Sequence, residues 1–425
     1  MKNLMIGLFI SGSVLAQNQT TLEYSYAEFN ALENVKDQEA YYEEMRQANP
    51  DADYDTYLTA LAIANLDDGN TDKYKFYTRS NPEFSAIALI NLVYALEHLE
   101  DEDENMAVIA EVSQEVIDKI ESRDEIDVIA NGRLQVLLEL NAMANAKLGN
   151  VALARKSLEK SSEIVSEFRD SKYFKDSKAS YYDRCAIVLA AAGETQRAMD
   201  TLVKAVRTGE SKPKLRETFA HVYKELKGTD AGCEDLIKEL REEAYQHYYD
   251  KIKKTYLTDV KIPYEGKINA PNGSGEQLTI FSADKNVYDI SIPDLNGNPV
   301  NLADHKGEIL LIDFWTTMCT PCVACFTAFE KVVEDYKDEP FQLYVINLFE
   351  LQEDVKSFVR KKGIDLDVLH DEENVAYNVV ATPTKIVFDP QGTIRFYNIA
   401  YAGSTDGEYY KVKAMIEIIK EHASN

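Results

Sequence analysis

The chain has 425 residues and a formal net charge of -27. That length calls for two or three domains, each large enough to bury its own core. The acidity excludes a general nucleic-acid binder, because attraction to phosphates requires a basic face.

The first residues have the pattern of a secretory signal: Lys2, the apolar stretch Leu4 to Ile10, and Val14-Leu15-Ala16 before Gln17. The stretch is too short to span a bilayer. No cysteine stands at the cleavage site to carry a lipid. The expectation is a signal peptide at 1–16, cleaved after Ala16, and a soluble mature chain exported to the periplasm.

From residue 20 to about 250 the pattern is mostly helical and rich in Ala, Leu, Glu and Lys. One unit runs Val136, Leu138, Leu140, Ala142 and Ala144, turns at Gly149, and continues through Ala154 and Leu158. A related unit runs Ala186 to Ala190, turns at Gly193, and continues through Ala198, Leu202 and Ala205. In both, a small side chain after the turn glycine lets two antiparallel helices approach closely. These features resemble degenerate tetratricopeptide repeats, although Gly149 and Gly193 lie farther apart than that family's roughly 34-residue period. Such a stack offers a concave face to a protein partner, or serves as a folded spacer. The run Glu100 to Glu104 lacks the spaced ligands and turning glycine of a calcium loop and reads as a solvated interhelix segment. Five cysteines are too few for a disulfide-stapled scaffold. Cys185 and Cys233 lie in helical patterns, either as buried free thiols or as a pair.

Residues 251–284, with Pro263, Gly266 and the Pro271 to Gly275 turn cluster, read as a linker or as the edge of the next domain. Residues 285–425 alternate strands and helices. Val287 to Asp294 reads as a strand, and Asn296-Gly297-Asn298 as a hairpin turn. Ile309 to Phe314 is a core strand, followed by a helix ending near Tyr336. A strand at 341–348, a helix at 351–362, a hairpin around Pro390-Gln391-Gly392 and a helix from Tyr409 to His422 complete the pattern. The fold class is multidomain: an all-alpha helical repeat domain and an α/β domain with a central mixed sheet covered on both faces.

At the strand-to-helix junction stands Asp313-Phe314-Trp315-Thr316-Thr317-Met318-Cys319-Thr320-Pro321-Cys322. Cys319 falls at a helix N-terminus, where unpaired N–H groups and the helix dipole favour a thiolate. Cys322, almost one turn deeper, is placed to resolve a mixed disulfide formed by Cys319. Pro321 removes an amide hydrogen that the first turn would not use, and with Thr320 it sets the local field. A zinc site would want a second Cys or His pair nearby, and a structural cross-link this short would constrain little. Cys325 reads as a buried helix thiol.

The region from Val287 to Lys420 resembles the thioredoxin fold and, within it, the TlpA/ResA-like family of exported thiol–disulfide oxidoreductases. The resemblance rests on Asp294 to Gly297, Lys306-Gly307, Asp313-Phe314-Trp315, the Cys319/Cys322 pair, Thr382-Pro383 and Phe388 to Gly392. It implies a cis Pro383 facing the dithiol, with the backbone of Thr382 pairing with substrate. It also implies that Asp313 is a buried acid of raised pKa that takes a proton from Cys322, at a position where many TlpA/ResA relatives are neutral. Trp315 is expected to form an apolar wall beside the dithiol and a contact surface for substrate.

The implied activity is reduction of protein disulfides, with the Cys319–Cys322 disulfide as redox centre and no other cofactor or metal. The implied partners are a disulfide-containing or thiol protein and a membrane-linked thiol reductant. The competing reading is an interaction protein whose repeats recruit a partner and whose dithiol domain docks with little catalysis.

Overall fold

A computed structural model describes residues 24–79, 83–102, 105–166, 169, 174–271 and 273–423. The signal-like segment at 1–16 lies outside them. The helical region comprises α1 (Tyr26–Ala31), α2 (Val35–Ala48), α3 (Asp55–Asp67), α4 (Thr71–Tyr77), α5 (Ala86–Asp101) and α6 (Met106–Glu121). It continues with α7 (Val128–Lys147), α8 (Val151–Glu163), α9 (Ser177–Ala191), α10 (Thr195–Arg207), α11 (Pro213–Lys227) and α12 (Cys233–Lys253).

Gly149 and Gly193 turn the chain between α7 and α8 and between α9 and α10, each with positive φ (81° and 75°). Only glycine adopts that conformation without strain. Ala154 and Ala198 are fully buried just beyond these turns. Asp127 caps α7 by accepting from the N–H groups of Ile129 and Ala130 at 2.9 and 2.8 Å.

Glu100 departs from the expected solvated acidic segment, whereas Asp101 and Glu102 are exposed as expected and Asp103 and Glu104 lie outside the described residues. The helix α5 runs through Asp101, and Glu100 is 2% exposed. Its carboxylate accepts from Arg184 Nε at 3.0 Å and from a second guanidinium nitrogen at 2.5 Å. The bidentate pair replaces the water that the acid loses on burial. Cys185 and Cys233 are both free.

After α12 the chain forms the antiparallel hairpin β1 (Tyr264–Asn269) and β2 (Gln277–Ala283). Segment 251–284 is therefore packed structure. Ile280 and Phe281 join the core of the α/β region, and Val380 N–H donates to Ile280 O at 2.9 Å. The strand expected from Val287 is instead a 3-10 turn (Val287–Asp289) followed by β3 (Ser291–Pro293), which pairs with β4 (Pro299–Asn301). Asn286 accepts from Tyr288 N–H at 3.0 Å, a local bond that competes with an extended backbone.

The remaining elements are β5 (Ile309–Trp315), α13 (Thr320–Tyr336), β6 (Phe341–Leu348), α14 (Gln352–Lys362), β7 (Val368–Asp371), β8 (Thr384–Phe388), β9 (Ile394–Ile399) and α15 (Thr405–Ala423). The five-stranded sheet has the order β7-β6-β5-β8-β9. β5, β6 and β7 are parallel, whereas β8 is antiparallel to β5 and β9. The two-residue period of β5 sends Ile309, Leu311 and Trp315 to a core shared with α13, α14 and α15. Leu310, Ile312 and Phe314 point to the other face, where β2, β3, the 3-10 turn at Val287–Asp289 and a second one at Leu302–His305 cover the sheet. Among the described residues, α13, α14 and α15 pack on one face of the sheet. Asp313 has the parity of the helical face.

Candidate active site

Strand β5 delivers the chain to α13 through Thr316-Thr317-Met318. Cys319 is the N-cap of α13, and Pro321 stands in its first turn. Proline is suited to that position because its missing N–H would have no helical partner. Cys319 and Cys322 form a disulfide with a Cα–Cα separation of 5.3 Å. Cys319 is half-buried and Cys322 is fully buried, so only the first sulfur is open to an approaching group. The Thr382–Pro383 peptide bond, expected to be cis, is cis. Thr384 follows it opposite Phe314 in the β5–β8 register, which brings this turn to the C-terminal end of β5 where the disulfide sits.

Trp315 corrects one expectation. It is fully buried, packed edge-on to Phe326 with ring centroids 5.1 Å apart and tilted against Phe358 at 5.9 Å. It cannot offer a contact surface, because its strand parity turns it into the core. The exposed apolar side chains near the disulfide are others. Met318 is 81% exposed and Phe349 60%.

Glu350 joins these two. Its carboxylate accepts from Thr317 N–H at 2.7 Å, from the Thr317 hydroxyl, and from Asn347 Nδ2 at 2.6 Å. Its carbonyl accepts from His370 Nε2 at 2.7 Å. The loop after β6 is thereby tied to the loop that carries Met318. Phe349 beside it has φ 66°, a left-handed conformation that is costly for a bulky residue. Nothing local in the sequence singled out Glu350, since its partners come from separate segments.

Beneath α13 lies a buried charge cluster. The antiparallel register pairs Asp313 with Lys385, so the two side chains share the helical face. Lys385 Nζ lies 3.3 Å from Asp313 Oδ1 and 3.1 Å from Glu408 Oε1. It also donates to Cys325 Sγ at 3.4 Å. Lys411 Nζ closes on Glu408 Oε2 at 2.7 Å. Asp313, Lys385, Glu408 and Cys325 are inaccessible to water.

Burial lifts the Asp313 carboxyl to about 6, against the opposing pull of Lys385 and with the repulsion of Glu408 adding to it. Burial also raises the Cys325 thiol well above its ordinary value, assisted by Glu408. For Glu408 burial acts in the same sense, but Lys385 and Lys411 overcome it and hold the carboxyl below the usual range. Of this cluster only Asp313 was expected as a functional group. A lysine entering an apolar strand directly after Thr382-Pro383-Thr384 was the available signal for Lys385.

Among the described residues no group of three or more His, Cys, Asp or Glu side chains is arranged to hold a metal ion. The centre that is present is the disulfide itself.

A family model described as AhpC/TSA family matches residues 283–397. The thioredoxin-like protein YneN of Bacillus subtilis is 30% identical over 112 residues, covering 25% of this chain and 65% of that protein. The thiol-disulfide oxidoreductase ResA of the same organism is 27% identical over 106 residues, covering 24% of this chain and 59% of ResA. The chain thus spans less than two thirds of the length of either relative. Among solved structures, a secreted Mycobacterium tuberculosis disulfide oxidoreductase homologous to E. coli DsbE is 25% identical, with a TM-score of 0.28 over 31% of this chain and 99% of that one. The C-terminal α/β region, which carries the Cys319–Cys322 disulfide at the head of α13, is thus similar in sequence to a thioredoxin-like protein and to ResA thiol-disulfide oxidoreductase.

Proposed function

We propose that the protein is an exported thiol–disulfide oxidoreductase that reduces disulfides in protein substrates. The observation that carries this reading is the asymmetry of the pair: an accessible Cys319 at a helix N-terminus and a fully buried Cys322 behind it. In the reduced enzyme the Cys319 thiolate attacks one sulfur of a substrate disulfide. A mixed disulfide forms and one substrate thiolate leaves. Cys322 loses its proton to Asp313, directly or through water, and its sulfur attacks Cys319 Sγ. The second substrate thiolate leaves, two electrons have passed to the substrate, and the Cys319–Cys322 disulfide remains. An exogenous dithiol, held here to be membrane-linked, returns the two electrons.

Thr382 supplies its backbone to an extended substrate segment, with Pro383 facing the disulfide and Thr320 and Pro321 beside it. Met318 and Phe349 replace Trp315 as the apolar contacts, and the left-handed backbone at Phe349 is the kind of strain that collects at functional sites. In this reading residues 285–425 are the catalytic domain, 251–284 pack on it, and 20–250 form a repeat-like helical domain available to a protein partner. Export is supported by the signal-like segment and by a similar protein described as secreted.

The test is reduction of insulin by the full mature chain. Cys319→Ser and Cys322→Ser should each abolish turnover, and Cys322→Ser should accumulate a mixed disulfide. Unchanged turnover in both variants would leave the interaction-protein reading in its place. The equilibrium constant of the pair with glutathione then separates a reductant from an oxidant.

A further inference from the structure

The first turn of α15 is polar yet buried. Ser404, Thr405, Asp406 and Glu408 are each no more than 5% exposed. Ordinary amphipathic packing does not bury four polar residues in a row of five, so each must have a partner. For three of them, that partner comes from the helical region. Ser404 Oγ donates to Gly209 O at 2.5 Å. Thr405 donates its N–H and its hydroxyl to the Asp176 carboxylate at 2.5 and 2.7 Å. Asp406 N–H donates to Ser211 O at 3.2 Å, and its carboxylate pairs with Arg216 at 2.5 Å. Asp176 holds this contact with φ 53°, a left-handed conformation uncommon outside glycine. Gly407 completes the grip, since a Cβ there would stand 2.5 Å from Tyr248 Oη.

Glu408, the next residue, turns the opposite way. One of its oxygens meets Lys385 and the other Lys411, and it also accepts from Ala402 N–H at 2.7 Å. Lys385 in turn reaches Asp313 of β5 and Cys325 of α13, one helical turn beyond Cys322. The first turn of α15 thus joins two sets of buried polar contacts, one to Asp176 and its neighbours in the helical region and one to Lys385 and the floor of the disulfide helix.

We infer that Glu408 is a positioning residue for the dithiol, sharing Lys385 with Asp313 and so limiting the charge that Lys385 turns on that acid, and that the helical region sets the chemistry of the pair by gripping residues 404–407. This rests on the reading of Cys319–Cys322 as the redox centre. The titratable groups that face Glu408 and Asp313 are Lys385 from β8, Lys411 from α15, Cys325 from α13, and Tyr401 from the segment before α15. Glu408 is the anion that competes with Asp313 for Lys385. When Glu408 is neutral or displaced, Lys385 turns its whole charge on Asp313, which then ionises at lower pH. The helical region is thus part of the redox device, and its partners, if any, act on the thiols through α15.

The experiment uses the full mature chain. Resolution of a preformed Cys319 mixed disulfide is followed against pH, and the dithiol–disulfide equilibrium with glutathione is measured alongside. Glu408→Gln should move the pH inflection assigned to Asp313 down by about one unit and change the equilibrium constant about tenfold. Glu408→Asp should restore part of both. Thr405→Val, remote from the sulfurs, should shift both in the same direction by a smaller factor. It removes one hydroxyl without changing shape, so it keeps the test open if Glu408→Gln does not fold. If Cys319→Ser and Cys322→Ser abolish turnover while Glu408→Gln and Thr405→Val, or Thr405→Val alone where Glu408→Gln does not fold, leave the inflection and the equilibrium at wild-type values, this inference fails and the redox reading stands. If turnover survives both cysteine changes, the redox reading itself fails.

Discussion

Replacing Asp313 with asparagine tests the buried acid most directly. The carboxyl is fully enclosed and titrates at about 6 instead of 3.8. A gap of about two pH units corresponds to about 3 kcal/mol of preference for the protonated form in the folded chain. The folded-state pKa is raised, so the folded protein binds this proton more tightly than the unfolded one. The contribution to stability is fully present below about pH 4 and is lost as pH rises through 6. Asp313→Asn lacks that proton equilibrium. Its unfolding free energy, compared with wild type, should therefore gain about 3 kcal/mol between pH 4 and pH 7. Denaturant unfolding of the oxidised chain at a series of pH values reads this difference.

The same variant removes the proposed proton acceptor of Cys322. The rate of mixed-disulfide resolution should fall by about 10²–10⁴ at neutral pH and lose its inflection near 6. Parallel stability curves for the two proteins, with the inflection still present in the variant, would refute both the raised acidity constant and the role.

Phe349→Ser should raise KM for a protein disulfide while leaving turnover of a small aromatic disulfide within about twofold, since Phe349 bounds the approach and not the sulfurs. An equal effect on both substrates would argue against Phe349 as a docking contact. Arg184→Ala strands the Glu100 carboxylate in the helical core and should cost about 3–5 kcal/mol, read by chemical unfolding of the helical region. A cost below about 1 kcal/mol would mean that Glu100 has other adequate partners. Gly266→Ala places a methyl group inside the Phe281 ring position. It should lower the melting temperature through about 1–3 kcal/mol of overpacking, unless β1 can slide away from the sheet.

Local chemistry made much of the site legible. Two cysteines spaced to lie on one helix turn, a proline suited to the first turn, an apolar strand before them and Thr382-Pro383 before another strand are short-range patterns. So were the glycine turns at 149 and 193 with their following alanines. Each depends on residues within a few positions of one another, where backbone geometry dictates spacing. Glu350, Lys385, Glu408 and Lys411 were not legible as a group. Their meaning comes from contacts between residues far apart in the chain, such as Asp313 with Lys385, and Asp176 with Thr405.

Trp315 shows the same division. The motif Asp313-Phe314-Trp315 and the resemblance it carries placed it beside the dithiol, but only the parity of β5 and the packing of Phe326 and Phe358 decided that it faces inward. Glu100 repeats the lesson with charge, since an acidic run is solvated by default until a buried guanidinium supplies its hydrogen bonds. The sequence by itself determined the helical and α/β halves and the reactive pair, because those follow from periodicity and nearest neighbours. Only the tertiary structure decided which ionisable groups share the dry space beneath that pair, because burial and charge pairing are properties of the assembled core.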